Sequence, residues 1–113
     1  MIYEVYSDNE LSKQIRLLKK TEKTFHVLFT SPFDPKSIDL EDKYYAAHLC
    51  PSTQPEYDII IVDSFSCPSG FTLGSFHVTK TPTLVSFYFN PLFGYSVSED
   101  SWVSEIEQIL EIV

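Results

Sequence analysis

The run "YDIIIVD" (57–63) constrains the fold more than any other part of the chain. Ile59, Ile60, Ile61 and Val62 follow one another without a polar break. Successive side chains of a strand point to opposite faces, so such a strand presents apolar groups on both. It is stable only when both faces are covered, which is the situation of a central strand in a parallel sheet with helices above and below. The rest of the chain must therefore supply those helices and the neighbouring strands.

It does so in a regular order. "IYEVYS" (2–7) alternates and reads as a short strand. Asp8 or Asn9 is expected to cap a helix carrying Leu11, Ile15 and Leu18 at i, i+4 and i+7. "TFHVLFT" (24–30) is rich in β-branched and aromatic residues and reads as a buried strand. His26, within it, is expected to be a satisfied or partly exposed sheet residue rather than a base. The segment 35–49 reads as a helix with Leu40, Tyr44 and Leu49 on one side. Asp39, Glu41 and Asp42 are expected in its first turns, where acids suit the helix dipole.

After the central strand, 64–80 is irregular or a short helix. "TPTLVSFYF" (81–89) is a further strand, "NP" a turn, and "LFGYSV" (92–97) its hairpin partner. Trp102, Val103, Ile106, Ile109, Leu110 and Val113 give the period of a terminal helix. The sum is β-α-β-α-β-(irregular)-β-β-α. Helical connections make the first three strands parallel, and the hairpin makes the last two antiparallel. The expected fold class is α/β, a three-layer α/β/α sandwich around a mixed sheet. At 113 residues the chain is expected to form one domain, 1–113.

Composition excludes several functions. Sixteen acids against eight bases give a net charge of −8, so direct nucleic-acid contact is not expected. Five of the bases, Lys13, Arg16, Lys19, Lys20 and Lys23, nevertheless fall within eleven residues. They read as a solvated helix face, or as a patch for an acidic partner or a nucleic-acid-associated scaffold. No run approaches the roughly 18 apolar residues of a membrane span, and the first residues lack the charged start of a signal peptide. No membrane partner is expected. Two cysteines, Cys50 and Cys67, are too few for a disulfide framework. A cytoplasmic or nuclear location with reduced thiols is expected. His48 and Cys50 lack a second ligand pair, so no metal or other cofactor is expected.

The order of elements, with "TPTL" opening the first strand of the terminal hairpin, resembles the thioredoxin fold. The resemblance implies a cis peptide bond before Pro82, in Thr81-Pro82-Thr83, facing the turn that carries the redox dithiol. That turn corresponds to "FDPKS" (33–37). Phe33 takes the tryptophan position, Asp34 the nucleophilic cysteine, Pro35 and Lys36 the middle pair, and Ser37 the resolving cysteine. Leu28, six residues before Asp34, takes the place of the buried acid of the family. The dithiol reaction needs a thiolate stabilised at a helix start and a second thiol to resolve the mixed disulfide. Neither Asp34 nor Ser37 supplies one. Aspartate followed by proline is instead a strong helix start, its carboxylate accepting from the N–H at N2 or N3 with proline at N1.

The resemblance thus implies a thioredoxin-like member without the Cys-x-x-Cys motif, a protein-binding scaffold rather than a catalyst. The expected partner is a protein or an extended peptide. Its expected contacts are Phe33, Asp34, Pro35, Ser37, Phe71, His77, Thr81 and Pro82, with the aromatic segment 64–80 beside them. The alternative is a thiol-dependent redox enzyme or sensor acting through Cys67. "FDPKS" and "LVSFYFN" are also similar to the small thioredoxin-fold scaffold of the spliceosome, and phosducin-like proteins offer a second non-redox precedent.

Overall fold

A computed structural model of the chain describes residues 2–48, 57–63 and 81–112. Its centre is a five-stranded sheet built from β1 (Ile2–Val5), β2 (Phe25–Thr30), β3 (Asp58–Asp63), β4 (Thr83–Asn90) and β5 (Gly94–Asp100). The spatial order is β1-β3-β2-β4-β5. β1, β3 and β2 are parallel, while β4 runs antiparallel to both β2 and β5. β3, formed by the apolar run, is therefore an inner strand, and Ile59 through Val62 are all buried.

Strand alternation divides the core into two. Phe25, Val27 and Phe29 of β2 join Ile60, Val62, Val85 and Phe87 on one face, beneath α1 (Asp8–Lys19). Leu11, Ile15 and Leu18 are the residues α1 buries, as their spacing requires. Each contributes about 2 kcal/mol of burial. Leu28, Ile59, Ile61 and Leu84 form the opposite face beneath α2 (Pro35–His48) and α3 (Val103–Ile109). α2 meets it through Leu40 and Tyr44, and α3 through Ile106, with Leu110 just beyond its end. The three layers are thus α1, sheet, and α2 with α3.

Several local expectations shift. The cap of α1 is Ser7, whose Oγ accepts from Glu10 N at 3.2 Å, while Glu10 Oε2 accepts from Tyr6 N at 3.1 Å. Ser7 caps the helix while Glu10 reaches back to the amide just before the cap, a variant of the capping box, and Asp8 moves into the first turn. No acid lies in the first turn of α2, because Pro35 starts the helix and Asp39 falls one turn later. There Asp39 pairs with Lys43 at 3.1 Å, an i,i+4 contact. β5 begins at Gly94, whose φ of +81° suits the tight end of the hairpin. Leu92 and Phe93 therefore belong to the turn rather than the strand. Trp102 precedes α3 and is exposed, so it is not part of the buried helix face. Leu49 and Val113 lie outside the described residues.

His26 is buried, and its Nδ1 and Ser86 Oγ share a hydrogen bond of 2.8 Å between partnered positions of β2 and β4. Burial drives the imidazole to a pKa of about 4. His48 also turns inward, its Nε2 3.3 Å from the Leu110 carbonyl oxygen. It serves the packing of α2 on the α3 end.

Candidate functional site: the entrance of α2 and the start of β4

β2 ends at Thr30, and the chain must reverse to lay α2 back across the sheet. Residues 31–34 make that reversal. Ser31 Oγ accepts from Phe33 N at 3.2 Å, and Ser31 O accepts from Asp34 N at 3.2 Å. The turn leaves the Phe33 ring 73% exposed. Asp34 then closes the helix entrance. Its Oδ1 accepts from Lys36 N at 3.2 Å, and its backbone oxygen accepts from Ile38 N at 3.0 Å. Pro35 occupies the first helical position, where a missing N–H costs nothing.

The second carboxylate oxygen reaches across the fold. Asp34 Oδ2 accepts from Ser37 Oγ at 2.9 Å and from Thr81 Oγ1 at 3.0 Å. Thr81 stands two residues before β4, and the Thr81–Pro82 peptide bond is cis. β4 lies beside β2, with Thr83 opposite Phe29, so the start of β4 and the end of β2 share one edge of the sheet. Sheet order therefore carries Thr81, and Pro82 with it, to the turn, Thr81 lying 47 residues from Asp34 in sequence. Burial acts against ionisation of Asp34. The Ser37 and Thr81 hydroxyls and the Lys36 and Ser37 amides outweigh it, and the carboxyl lies below its ordinary value of 3.8.

A groove runs beside this junction, lined by Lys36, Thr81, Pro82, Ser101, Trp102 and Val103. Pro82 is buried at its base, whereas Trp102 is 69% exposed. Trp102 thus lines the groove with Pro82, while the exposed Phe33 stands next to Asp34 in the turn. Of the expected contact residues, Phe33, Asp34, Pro35, Ser37, Thr81 and Pro82 gather at this place, with Ser37 fully buried. Phe71, His77 and Cys67 lie outside the described residues, as do Cys50 and the whole segment 64–80.

Trp102 was hidden from sequence reasoning. Residues 102, 106 and 110 fit the spacing of one helix face, and Ile106 and Leu110 are indeed buried. The backbone at Trp102 is extended, with φ −86° and ψ 124°, which takes its ring off that face. Its lack of an oxygen to cap α3 was the one available signal.

Leu28 is completely buried against the α2 side of the sheet, so an apolar group fills the position that corresponds to the family acid. Carboxylates collect elsewhere, in a recess of ≈ 130 Å³ lined by Glu4, Glu41, Asp63, Thr30 and Tyr45. There Thr30 Oγ1 donates to Glu41 at 2.6 Å, and Tyr45 donates to Glu4. Among the described residues no group of three or more His, Cys, Asp or Glu side chains is arranged to hold a metal ion.

The architecture is a thioredoxin-like fold. The chain superposes on a thioredoxin of Schistosoma mansoni with a TM-score of 0.71 at 15% identity, covering 97% of this chain and 93% of that one. A thioredoxin of Nicotiana alata gives 0.71 at 14% identity, over 97% and 90% of the two chains. Mitochondrial thioredoxin 3 of Saccharomyces cerevisiae gives 0.68 at 14% identity, over 99% and 95%. At such identities the likeness speaks for the fold alone. No protein-family model matches the sequence, and no curated protein matches it.

Proposed function

We propose that this chain is a non-catalytic thioredoxin-fold scaffold that binds an extended segment of a partner protein along the Phe33–Pro82–Trp102 surface. The observation that carries this reading is the engagement of Asp34. A thiolate mechanism requires a helix entrance whose donors are available to a sulfur anion. Here those donors and the Thr81 hydroxyl all serve one fixed carboxylate. A carboxylate and a buried hydroxyl form no disulfide, so residues 34 and 37 contribute no electron transfer.

What the entrance retains is shape. The exposed Trp102 ring lines a groove that includes the buried Pro82, and the exposed Phe33 ring adjoins Asp34 in the turn. Aromatic rings with few rotatable bonds make strong anchors at protein interfaces. An extended peptide lying beside Pro82 gains backbone hydrogen bonds there, as in strand addition, with side chains set against Phe33 and Trp102.

The test joins two measurements on the full chain. Insulin reduction driven by dithiothreitol should be no faster with the protein than without it. Random peptides selected on the wild-type protein should lose binding to Phe33→Ala and to Trp102→Ala. Catalysed insulin reduction that disappears in Cys67→Ser would overturn the scaffold reading in favour of a thiol enzyme. Selected peptides indifferent to both ring deletions would place recognition elsewhere.

A further inference from the structure

We propose that the end of the molecule remote from Asp34 and Pro82 is a docking surface for an anionic lipid bilayer, with the β4–β5 hairpin tip inserting and the carboxyl end of α1 forming a basic collar. Asp34 follows the end of β2, whereas the hairpin tip lies beyond the start of that strand, where Phe25 stands opposite Phe87. A six-residue strand separates the two ends by about 20 Å.

The tip is built to present apolar groups. Asn90 Oδ1 accepts from Leu92 N at 2.8 Å and Asn90 O accepts from Phe93 N at 3.2 Å, which ties the turn from within. Leu92 is 85% exposed and Phe93 86%, the two most exposed large hydrophobic residues described. Polar residues would serve a solvated turn equally well.

The collar is fastened to the same hairpin. Tyr95, the first residue after Gly94, donates its hydroxyl to the carbonyl oxygen of Lys23 at 2.9 Å and lies 3.3 Å from that of Lys19. Phe89 N, across the hairpin, donates to Thr24 Oγ1 at 3.4 Å. The segment 19–24 therefore lies along the base of the tip, with Lys19, Lys20 and Lys23 all exposed. Glu22 is the one acid between residues 11 and 33, and residues 84–98 contain none. Asp58 begins β3 opposite Phe25 and is the acid that β3 brings to this end. Glu111, whose charge acts on Tyr57 just before β3, is a further acid at this end, so the bases gather along 19–24 beside the hairpin rather than over the whole pole.

A bilayer fits this pole better than the other anionic surfaces. The two apolar side chains stand on a convex four-residue turn, and a fluid interface closes around such a shape where a protein would need a matching pocket. A single-stranded nucleic acid stacks successive bases on aromatic platforms, and the tip offers one ring beside an aliphatic chain. The acids at the other end do not repel the membrane strongly, because charges are screened over about 8–10 Å and the two ends stand about 20 Å apart. No described helix is long and apolar enough to cross a membrane, so the attachment is peripheral, an apolar insertion assisted by lysines.

Vesicle flotation of the full chain tests this, with phosphatidylcholine vesicles containing or lacking about 30% phosphatidylserine. The protein should float with the anionic vesicles and be released as salt rises. Leu92→Ser with Phe93→Ser should weaken partitioning at least about tenfold. Neutralising Lys19, Lys20 and Lys23 to Gln should cost roughly fivefold for each lysine. All positions are exposed, so unchanged circular dichroism and melting will show that both variants fold. Failure to float with anionic vesicles overturns the proposal, as does a tip variant that floats like the wild type. Displacement from vesicles by a single-stranded oligonucleotide, with binding indifferent to the tip variant, overturns it in favour of nucleic acid. Flotation reads nothing at Phe33 or Trp102, so its outcome is separate from that of the scaffold reading.

Discussion

Thr81 Oγ1 donates to Asp34 Oδ2 at 3.0 Å, so one hydrogen bond ties the entrance of α2 to the segment that leads into β4. The same carboxylate oxygen accepts from Ser37, which makes Asp34 a cap and a tertiary link at once. Asp34→Ala is expected to lower stability by about 1–2 kcal/mol, the range for losing a charged cap. Thr81→Val should cost about 1 kcal/mol. The two losses should fall short of additive by about 0.5–1.5 kcal/mol in a double-mutant cycle read by urea unfolding. Strict additivity would mean that the bond contributes nothing.

The entrance geometry also makes a gain-of-function experiment possible. Asp34→Cys with Ser37→Cys places two thiols one helical turn apart at the entrance of α2, the spacing of a dithiol motif. The double variant should form an intramolecular disulfide under mild oxidation and acquire measurable insulin reduction, with turnover limited because Leu28 supplies no proton acceptor. Alkylation and mass measurement read the first outcome. Inability to form the bond would mean that the turn differs from its redox counterparts in more than residue type.

Acid should destabilise the protein in two separable windows. Burial holds His26 neutral to about pH 4, whereas the unfolded chain protonates at the model-peptide value of 6.5. Between those values the unfolded state binds more protons, so stability falls as the pH drops from 6.5 toward 4 and is level above 6.5. The loss across that window is about 3 kcal/mol. Asp34 acts lower down. Its contribution is complete above 3.8 and is lost as the pH falls through its depressed folded value. Replacing the hydrogen-bonded pair with His26→Phe and Ser86→Ala should flatten the upper window in urea titrations and leave the lower one.

Trp102 and Ile106 sit four residues apart with opposite roles. Ile106→Ala removes a fully buried side chain from the α2–α3 face and should cost about 2–5 kcal/mol. Trp102→Ala, at an exposed position, should change stability by less than about 0.5 kcal/mol while weakening peptide capture by at least about tenfold. Thermal melts beside peptide titrations separate the two effects.

Local pattern determined the layers of this protein. The unbroken Ile59–Val62 run demanded an inner strand, the i, i+4, i+7 spacing of Leu11, Ile15 and Leu18 demanded a one-sided helix, and the Asp34-Pro35 pair announced a helix start. These signals are legible because periodicity and capping act between residues close in sequence. Ser7 and Glu10 carried such a signal too, Ser7 accepting from the Glu10 amide and Glu10 from the Tyr6 amide at the start of α1. Only tertiary structure decided the rest. Whether β4 lies beside β2, and so whether Thr81 meets Asp34, depends on strand order, which no local pattern encodes. Trp102 keeps helix spacing yet stands off the helix face because the backbone turns extended one residue before α3 begins. The exposure of Leu92 and Phe93, and the approach of Lys19 and Lys23 to the hairpin, follow from where the chain closes on itself.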